Sequence, residues 1–221
     1  MRNATRITVS TFGLLAAVAG LEHGIGEVLQ GNVAPPGLVF ESWAGSELFR
    51  ILSGEPALTI IPNLLVSGIL TILFSLIFLA WALLFVERKH GGLVLIGLSL
   101  VLLLVGGGFG PPLLGIIIGL TAARIHAPLR WWRARLGARS RRFLASLWPW
   151  SFAGALIAWL YLFPGSILLG AFGRVSDEGL AISVAIAILA AFTLLLLTIV
   201  SGFAYDIQQQ DGVRWTPAMS S

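Results

Sequence analysis

The stretch "GGLVLIGLSLVLLLVGGGFGPPLLGIIIGLTAARIH", residues 91–126, decides how many times this chain crosses a membrane. As one straight helix it would be about 54 Å long, well beyond a hydrocarbon layer of about 30 Å. Its centre, "GGGFGPP", favours a turn because glycine adopts non-helical conformations and proline lacks an amide donor. The pattern predicts two short helices, at about 91–107 and 110–126. They form a hairpin that either crosses twice or dips into the membrane and returns.

The composition of the whole chain is that of a membrane protein. Hydrophobic residues make up 57% of the sequence and charged residues only 11%, whereas about a quarter of the residues in soluble domains are charged. The other apolar segments lie at about 5–29, 58–86, 143–163 and 180–205. The sequence therefore predicts a single integral membrane domain, 1–221, with an all-α fold: a polytopic transmembrane bundle of about six helices.

The distribution of basic residues favours six crossings over five. With a cytoplasmic N-terminus, six crossings place twelve of the fourteen Lys and Arg residues inside and leave only Arg50 and Arg174 outside. Five crossings divide them five against nine, or nine against five when the chain is inverted. Because inner loops are enriched in Lys and Arg, we expect six crossings of the cell membrane with both termini in the cytoplasm.

The first apolar segment has a second interpretation as a secretory signal. Arg2 and Arg6 precede it, and "AVA" at 17–19 resembles a cleavage site. The favoured interpretation is an uncleaved helix, because glycines at helical spacing continue beyond that site.

Ionisable residues lie at the end of this first helix, in "LEHGIGEVLQG", residues 21–31. Glu27 belongs to a helical stripe of small residues, so it is expected to face another helix rather than lipid. His23 lies one turn before Glu27, and Glu22 points in another direction. The stripe consists of Ala16, Gly20, Gly24, Glu27 and Gly31.

The second helix carries a matching polar stripe at intervals of four residues: Asn63, Ser67, Thr71 and Ser75. Since this helix enters from the side on which the first one exits, the two polar sets are expected at similar depth. The predicted outward-facing site contains Glu22, His23, Glu27, Asn63, Ser67 and Thr71. Its acidic character favours protons, metal ions or organic cations over anions.

The same residues also fit a purely structural interpretation. Glu and His near a helix end can reach headgroup water, and Ser/Thr stripes are common helix-packing contacts. No metal site is predicted, because helix 1 offers only three ligands and His90 and His126 are expected on the opposite side.

A basic loop is predicted at 127–142, and "RWWRARLGARSRR" within it suits the membrane interface. Positive-inside topology alone accounts for most of this pattern, and contact with anionic lipid headgroups or with a partner protein is the further hypothesis. Nucleic acid is not expected. The candidate contact residues are Arg130, Trp131, Trp132, Arg133, Arg135, Arg141 and Arg142.

The outer loop at 30–57 contains a candidate short helix that begins after Ser46. Two interpretations stay open: a helix on the outer membrane surface, or a lid over the polar site.

The chain contains no cysteine and none of the common nucleotide, hydrolase or metalloprotease motifs. We therefore expect no enzyme activity and no cofactor. Two functions remain open. One is a small transporter or channel-like protein for protons or cations that forms a homo-oligomer; the alternative is a non-catalytic accessory or scaffold subunit bound to a membrane partner protein.

Overall fold

The fold was described from a computed structural model, which covers residues 4–126, 129–173 and 176–214. Nearly all regular structure in these ranges is helical. The helices are α1 Ala4–Gln30, α2 Leu64–Ala80, α3 Gly91–Val105, α4 Gly110–Ala122, α5 Arg130–Arg135, α6 Ala138–Leu160, α7 Ser166–Phe172 and α8 Asp177–Arg214. Short π-helical segments extend α2 through Trp81–Phe85 and join α6 to α7 through Tyr161–Gly165.

Within the described ranges, four helical units are long and apolar enough to cross a membrane. They are Ala4–Gln30, Leu64–Phe85, Ala138–Phe172 and Asp177–Asp211. The helices α3 and α4 are also apolar but shorter, with 15 and 13 residues. The protein is thus a helical membrane protein.

The segment between α1 and α2, residues 31–63, folds into a small structured unit that we call the lid segment. It contains strand β1, Val39–Glu41, which pairs antiparallel with strand β2, Pro56–Leu58. A 3-10 helix, Glu47–Leu52, connects the strands, and Ser46 precedes it without a side-chain capping bond. Two short strands therefore accompany the helices of the predicted all-α fold.

The turn predicted at "GGGFGPP" lies between α3 and α4. Val105 is the last residue of α3, Gly106 adopts φ of 110°, and Pro111 and Pro112 occupy the first turn of α4. Proline is tolerated there because the first amides of a helix have no partner within the helix.

Other helix boundaries differ from the predicted ones. α2 begins at Leu64 rather than near 58, because β2 occupies 56–58 and Asn63 caps the helix by accepting a 3.1 Å hydrogen bond from the Val66 amide. α5 and the start of α6 lie within the predicted loop 127–142, of which residues 127 and 128 lie outside the described ranges.

Helix ends gather at two opposite ends of the bundle. At the end that we call the basic end, Arg6 forms an ion pair with Glu87 at 3.5 Å and His126 contacts the Glu87 carbonyl at 3.0 Å. Asp206 of α8 accepts hydrogen bonds there from the amides of Ala4 and Thr5, at 2.7 and 3.0 Å. Asp206 thereby satisfies unpaired donors at the start of α1.

The lid segment marks the opposite end, which we call the lid end. Arg50 in the 3-10 helix donates two hydrogen bonds to Asp177 at the start of α8, at 2.6 and 2.9 Å. These bonds raise the pKa of the exposed Arg50 guanidinium above its ordinary value. The end of α3 also lies here, since the Ile60 amide of the lid segment donates to the Leu104 carbonyl at 2.9 Å.

Glycines permit close packing between helices within the chain. A Cβ added at Gly24 of α1 or at Gly68 of α2 would overlap the backbone of the other helix, and Gly92 of α3 and Gly119 of α4 form a similar pair. Helix α1 thus packs on α2, and α3 packs on α4. Of the stripe predicted on α1, Ala16 is buried and Gly20 and Gly24 pack on α2. The prediction is wrong for Gly31, which lies beyond the end of α1 and where an added Cβ would meet no atom within 4 Å.

Candidate functional site

The lid segment covers the end of α1 and brings two of its own polar groups to His23. The Ser42 hydroxyl lies 2.9 Å from His23 Nδ1, and Glu55 Oε2 lies 3.1 Å from His23 Nε2. Gln30 of α1 anchors the segment by donating to the Ser42 carbonyl at 2.8 Å. These contacts agree with the lid interpretation of the outer loop.

Both nitrogens of the buried His23 ring are engaged, which fixes the orientation of the imidazole. The ring is only 2% exposed. The turn after α3 packs directly against it, because a Cβ added at Gly108 would overlap the imidazole. A histidine held in this way has one ring nitrogen directed at a carboxylate, an arrangement that suits proton exchange or ligand binding.

Glu22 completes a cluster of three ionisable groups with His23 and Glu55. One ligand atom from each lies within 4.8 Å of the others. Glu22 Oε1 is shielded from solvent and has no hydrogen-bond partner within the described ranges. Two carboxyls and an imidazole are groups that bind protons, metal ions or ammonium groups. The prediction of no metal site considered the groups of α1 together with His90 and His126, whereas the third group here, Glu55, comes from the lid segment.

Glu27 lies in a different environment, enclosed by the ends of α2 and α3. It is 0% exposed, and neither carboxyl oxygen has a hydrogen-bond partner in the part of the chain that the structure describes. The Ser67 hydroxyl lies beside this carboxyl, but its 2.6 Å hydrogen bond goes to the Val105 carbonyl. Gly106 packs on the carboxyl so closely that a Cβ there would overlap it.

The polar stripe of α2 is divided between two places. Ser67 and Thr71 both donate to the Val105 carbonyl at 2.6 Å, which satisfies an acceptor at the end of α3. Asn63 instead caps α2 and donates to Asn32 at 2.5 Å. The structure therefore brings Glu22 and His23 together, groups Glu27 with Ser67 and Thr71, and leaves Asn63 apart from both sets.

A cavity of about 320 Å³ opens beside the Glu22–His23–Glu55 cluster. Its walls are mainly apolar and come from α1, the start of α4, the junction of α6 with α7, and α8. The indole nitrogen of Trp159, which lines this cavity, has no hydrogen-bond partner among the described residues. The cluster is thus the polar end of an apolar cavity between four parts of the bundle.

Glu55, Ser42 and Trp159 were not predicted as site residues. For Glu55 the sequence offers one signal, the turn "SGEP" at 53–56, which reverses the chain immediately before β2. Residues 53–55 adopt positive φ there. Ser42 and Trp159 carry no comparable signal. The position of Ser42 depends on how β1 pairs with β2, and that of Trp159 depends on which face of α6 is turned toward the cavity.

At the basic end the arginines of the predicted contact segment have different roles. Arg133 and Arg141 pair with Asp211 of α8 at 2.5 and 3.2 Å, and Arg135 lies over the Trp131 ring. Arg142 is exposed.

A second cavity, of about 680 Å³, lies next to this segment between α4 and α8. Arg124, Arg130, Trp131 and Trp132 line it together with apolar side chains of the two helices. The two arginines that face this cavity are exposed, and the structure pairs neither with an acidic group in the described ranges.

Comparisons with protein-family models, curated proteins and solved structures found no match to this chain. Function is therefore inferred from the geometry of the two ends.

We expect Gly106→Ala to lower the free energy of unfolding by more than about 1 kcal/mol, since positive φ strains an L-residue and the new Cβ displaces the Glu27 carboxyl. The matched control is Gly97→Ala in α3, where a Cβ meets no atom within 4 Å; there stability is unchanged or rises by up to about 1 kcal/mol. Reversible unfolding in mixed detergent micelles, followed by circular dichroism, measures both. Equal effects of the two substitutions would contradict the close packing of Gly106 on Glu27.

Proposed function

We propose that this protein binds protons or cations at the Glu22–His23–Glu55 cluster, facing the outside of the cell, and works as a small transporter or channel-like protein. The observation that carries the proposal is the convergence of the three ligand atoms within 4.8 Å at the polar end of a cavity. Glu27 remains a proton-handling candidate, but it is enclosed in this conformation, so we assign the first binding step to the cluster.

Electrostatics favours a positive ligand at this cluster. Two carboxyls flank one imidazole, and no lysine or arginine is found among the described residues that line the cavity. In surroundings of low polarity an attraction between opposite charges is stronger than in water. Ionisable groups inside a membrane protein are costly, and they commonly mark pathways for ions or protons.

We further propose six crossings of the cell membrane with both termini in the cytoplasm. The support is that α3 and α4 each connect the two ends of the bundle, as the four longer helical units do. Described basic residues concentrate at the basic end, whereas Arg50 lies at the lid end. Arg2, Arg174 and the side chain of Arg214 lie outside the described structure.

The alternative, an accessory subunit, would need a surface that is free to dock on a partner, and glycine-lined helix faces are one such surface. Gly24, Gly68, Gly92 and Gly119 are occupied by contacts within the chain, so these glycines give that alternative no separate support.

For contacts with the membrane, we propose that anionic phospholipid binds the basic-end cavity. Arg124 and Arg130 would meet the phosphate, the two tryptophans suit the interface, and the apolar walls suit acyl chains.

The lipid proposal predicts that the double substitution Arg124→Gln and Arg130→Gln weakens binding of phosphatidylglycerol roughly thirtyfold, since each basic residue contributes about 1 kcal/mol near an anionic surface. The control pair, Lys89→Gln and Arg139→Gln, removes the same charge from exposed positions at the same end of the bundle. Native mass spectrometry with phosphatidylglycerol and phosphatidylcholine reports the bound lipid. Equal loss in both pairs would show that only overall charge matters.

Transport is tested in liposomes that contain a pH-sensitive dye, with imposed gradients of protons and of monovalent cations. We expect Glu22→Gln combined with Glu55→Gln to slow dye-reported flux by about tenfold or more, because interactions with charged groups contribute about 1.5–3 kcal/mol. Glu47→Gln is the control, an acid of the same lid segment whose side chain is 90% exposed. Wild-type flux equal to that of empty liposomes would overturn the transport proposal.

Topology is tested with single cysteines, since the natural chain has none. Six crossings place Lys89→Cys and Arg139→Cys on one side of the membrane and Glu47→Cys on the other. A membrane-impermeant maleimide applied to intact cells should label only Glu47→Cys. Labelling of Lys89→Cys and Arg139→Cys from opposite sides would instead require an odd number of crossings between them.

A further inference from the structure

We propose that the 320 Å³ cavity binds an amphipathic organic monocation, with its ammonium group at the Glu22–His23–Glu55 cluster and its apolar body among the helices. This inference rests on the proposed cation-binding function and names the class of ligand for that site. It follows from the walls of the cavity, the charges at its end and the unsatisfied polar atoms along it.

The walls are suited to a hydrocarbon or aromatic body. Four aromatic side chains line the cavity: Phe109, Trp159, Phe163 and Phe192. The rings of Trp159 and Phe192 pack edge to face, with their centroids 5.3 Å apart. The volume falls at the lower end of the range of about 300–1,000 Å³ that is typical of small-molecule sites. Aromatic faces also attract cations.

The polar end is suited to one positive charge. Its two carboxyls outnumber its single imidazole, and His23 already contacts Glu55. Glu22 Oε1 is the group left shielded and without a hydrogen-bond partner in the described structure. An ammonium N–H would donate a hydrogen bond to this oxygen. The ammonium group would also place a positive charge beside the two carboxyls.

Other occupants fit the same cavity less well. Mg²⁺ and Ca²⁺ require about six or more oxygen ligands, which apolar walls do not provide. A lipid acyl chain would fill the walls but leave the Glu22 oxygen unsatisfied. An anion would be repelled by the two carboxyls. The combination of long apolar walls with an acidic end favours a ligand that has both an ammonium group and an apolar body.

The test compares a cation with a neutral molecule of nearly the same shape. 4-Phenylbutylamine and 4-phenylbutan-1-ol are titrated into the full-length protein in nanodiscs, and tryptophan fluorescence and calorimetry report binding. We expect the amine to bind about tenfold more tightly than the alcohol, and Glu22→Gln to remove this difference, since only the amine can form a charge-assisted hydrogen bond with the Glu22 carboxylate. Glu47→Gln, which corrects for partition into the lipid, should retain it.

Each outcome separates this inference from the transport proposal. Equal binding of amine and alcohol, or an unchanged preference in Glu22→Gln, overturns the organic-cation inference, whereas proton flux that depends on the cluster still supports the proposed function. Conversely, selective amine binding without flux supports the inference and overturns transport. Circular dichroism of each variant shows whether lost binding reports the site rather than unfolding. Gly97→Ala, which changes a residue away from the site, should bind the amine as the wild type does.

Discussion

The Val105 carbonyl, at the end of α3, is the acceptor around which the lid end of the bundle is organised. Two hydroxyls of α2, from Ser67 and Thr71, donate to it at 2.6 Å. Such a carbonyl has no partner within its own helix and would be costly to leave unsatisfied in a membrane. The two bonds fix where α3 stops against α2, and hence where the glycine turn packs on α1. Gly106 then lies on Glu27 and Gly108 on His23, so the site depends on this one acceptor.

Two buried acids of the bundle show how differently such groups are accommodated. Asp206 is 5% exposed and accepts hydrogen bonds from two amides and the Thr5 hydroxyl at the start of α1. It has a clear structural role. Glu27 is more deeply buried but has no hydrogen-bond partner within the described ranges. Because an unsatisfied buried acid destabilises a fold, Glu27 does not make the structural contribution that Asp206 makes.

How much of this could be predicted from sequence depends on the range of the interaction. Local patterns predict the apolar helices, the turn at "GGGFGPP" and the position of Glu27 on a helix-facing stripe, since each depends on spacing within one segment. Glu55 could not be placed, because its contact with His23 depends on how β1 and β2 pair. Asn63 was expected in the polar site because it shares the spacing of Ser67, but the helix begins after it and its side chain became a cap. Spacing predicts a shared face only inside a helix.

The lid segment both covers the site and supplies one of its two carboxyls. Glu55 is supplied by the lid segment, whereas Glu22 and His23 belong to α1. The exposed Arg50–Asp177 pair contributes little to holding the segment in place, as is usual for surface ion pairs. Buried contacts do more: Phe40 and Ala57 of the two strands pack on Leu64 of α2. A movement that lifted the segment from α1 would also withdraw one of the two carboxyls, so the proposed cation between Glu22 and Glu55 would favour the arrangement seen here. The proposed cation binding would therefore be thermodynamically linked to closure of the segment, with each stabilising the other by the same free energy.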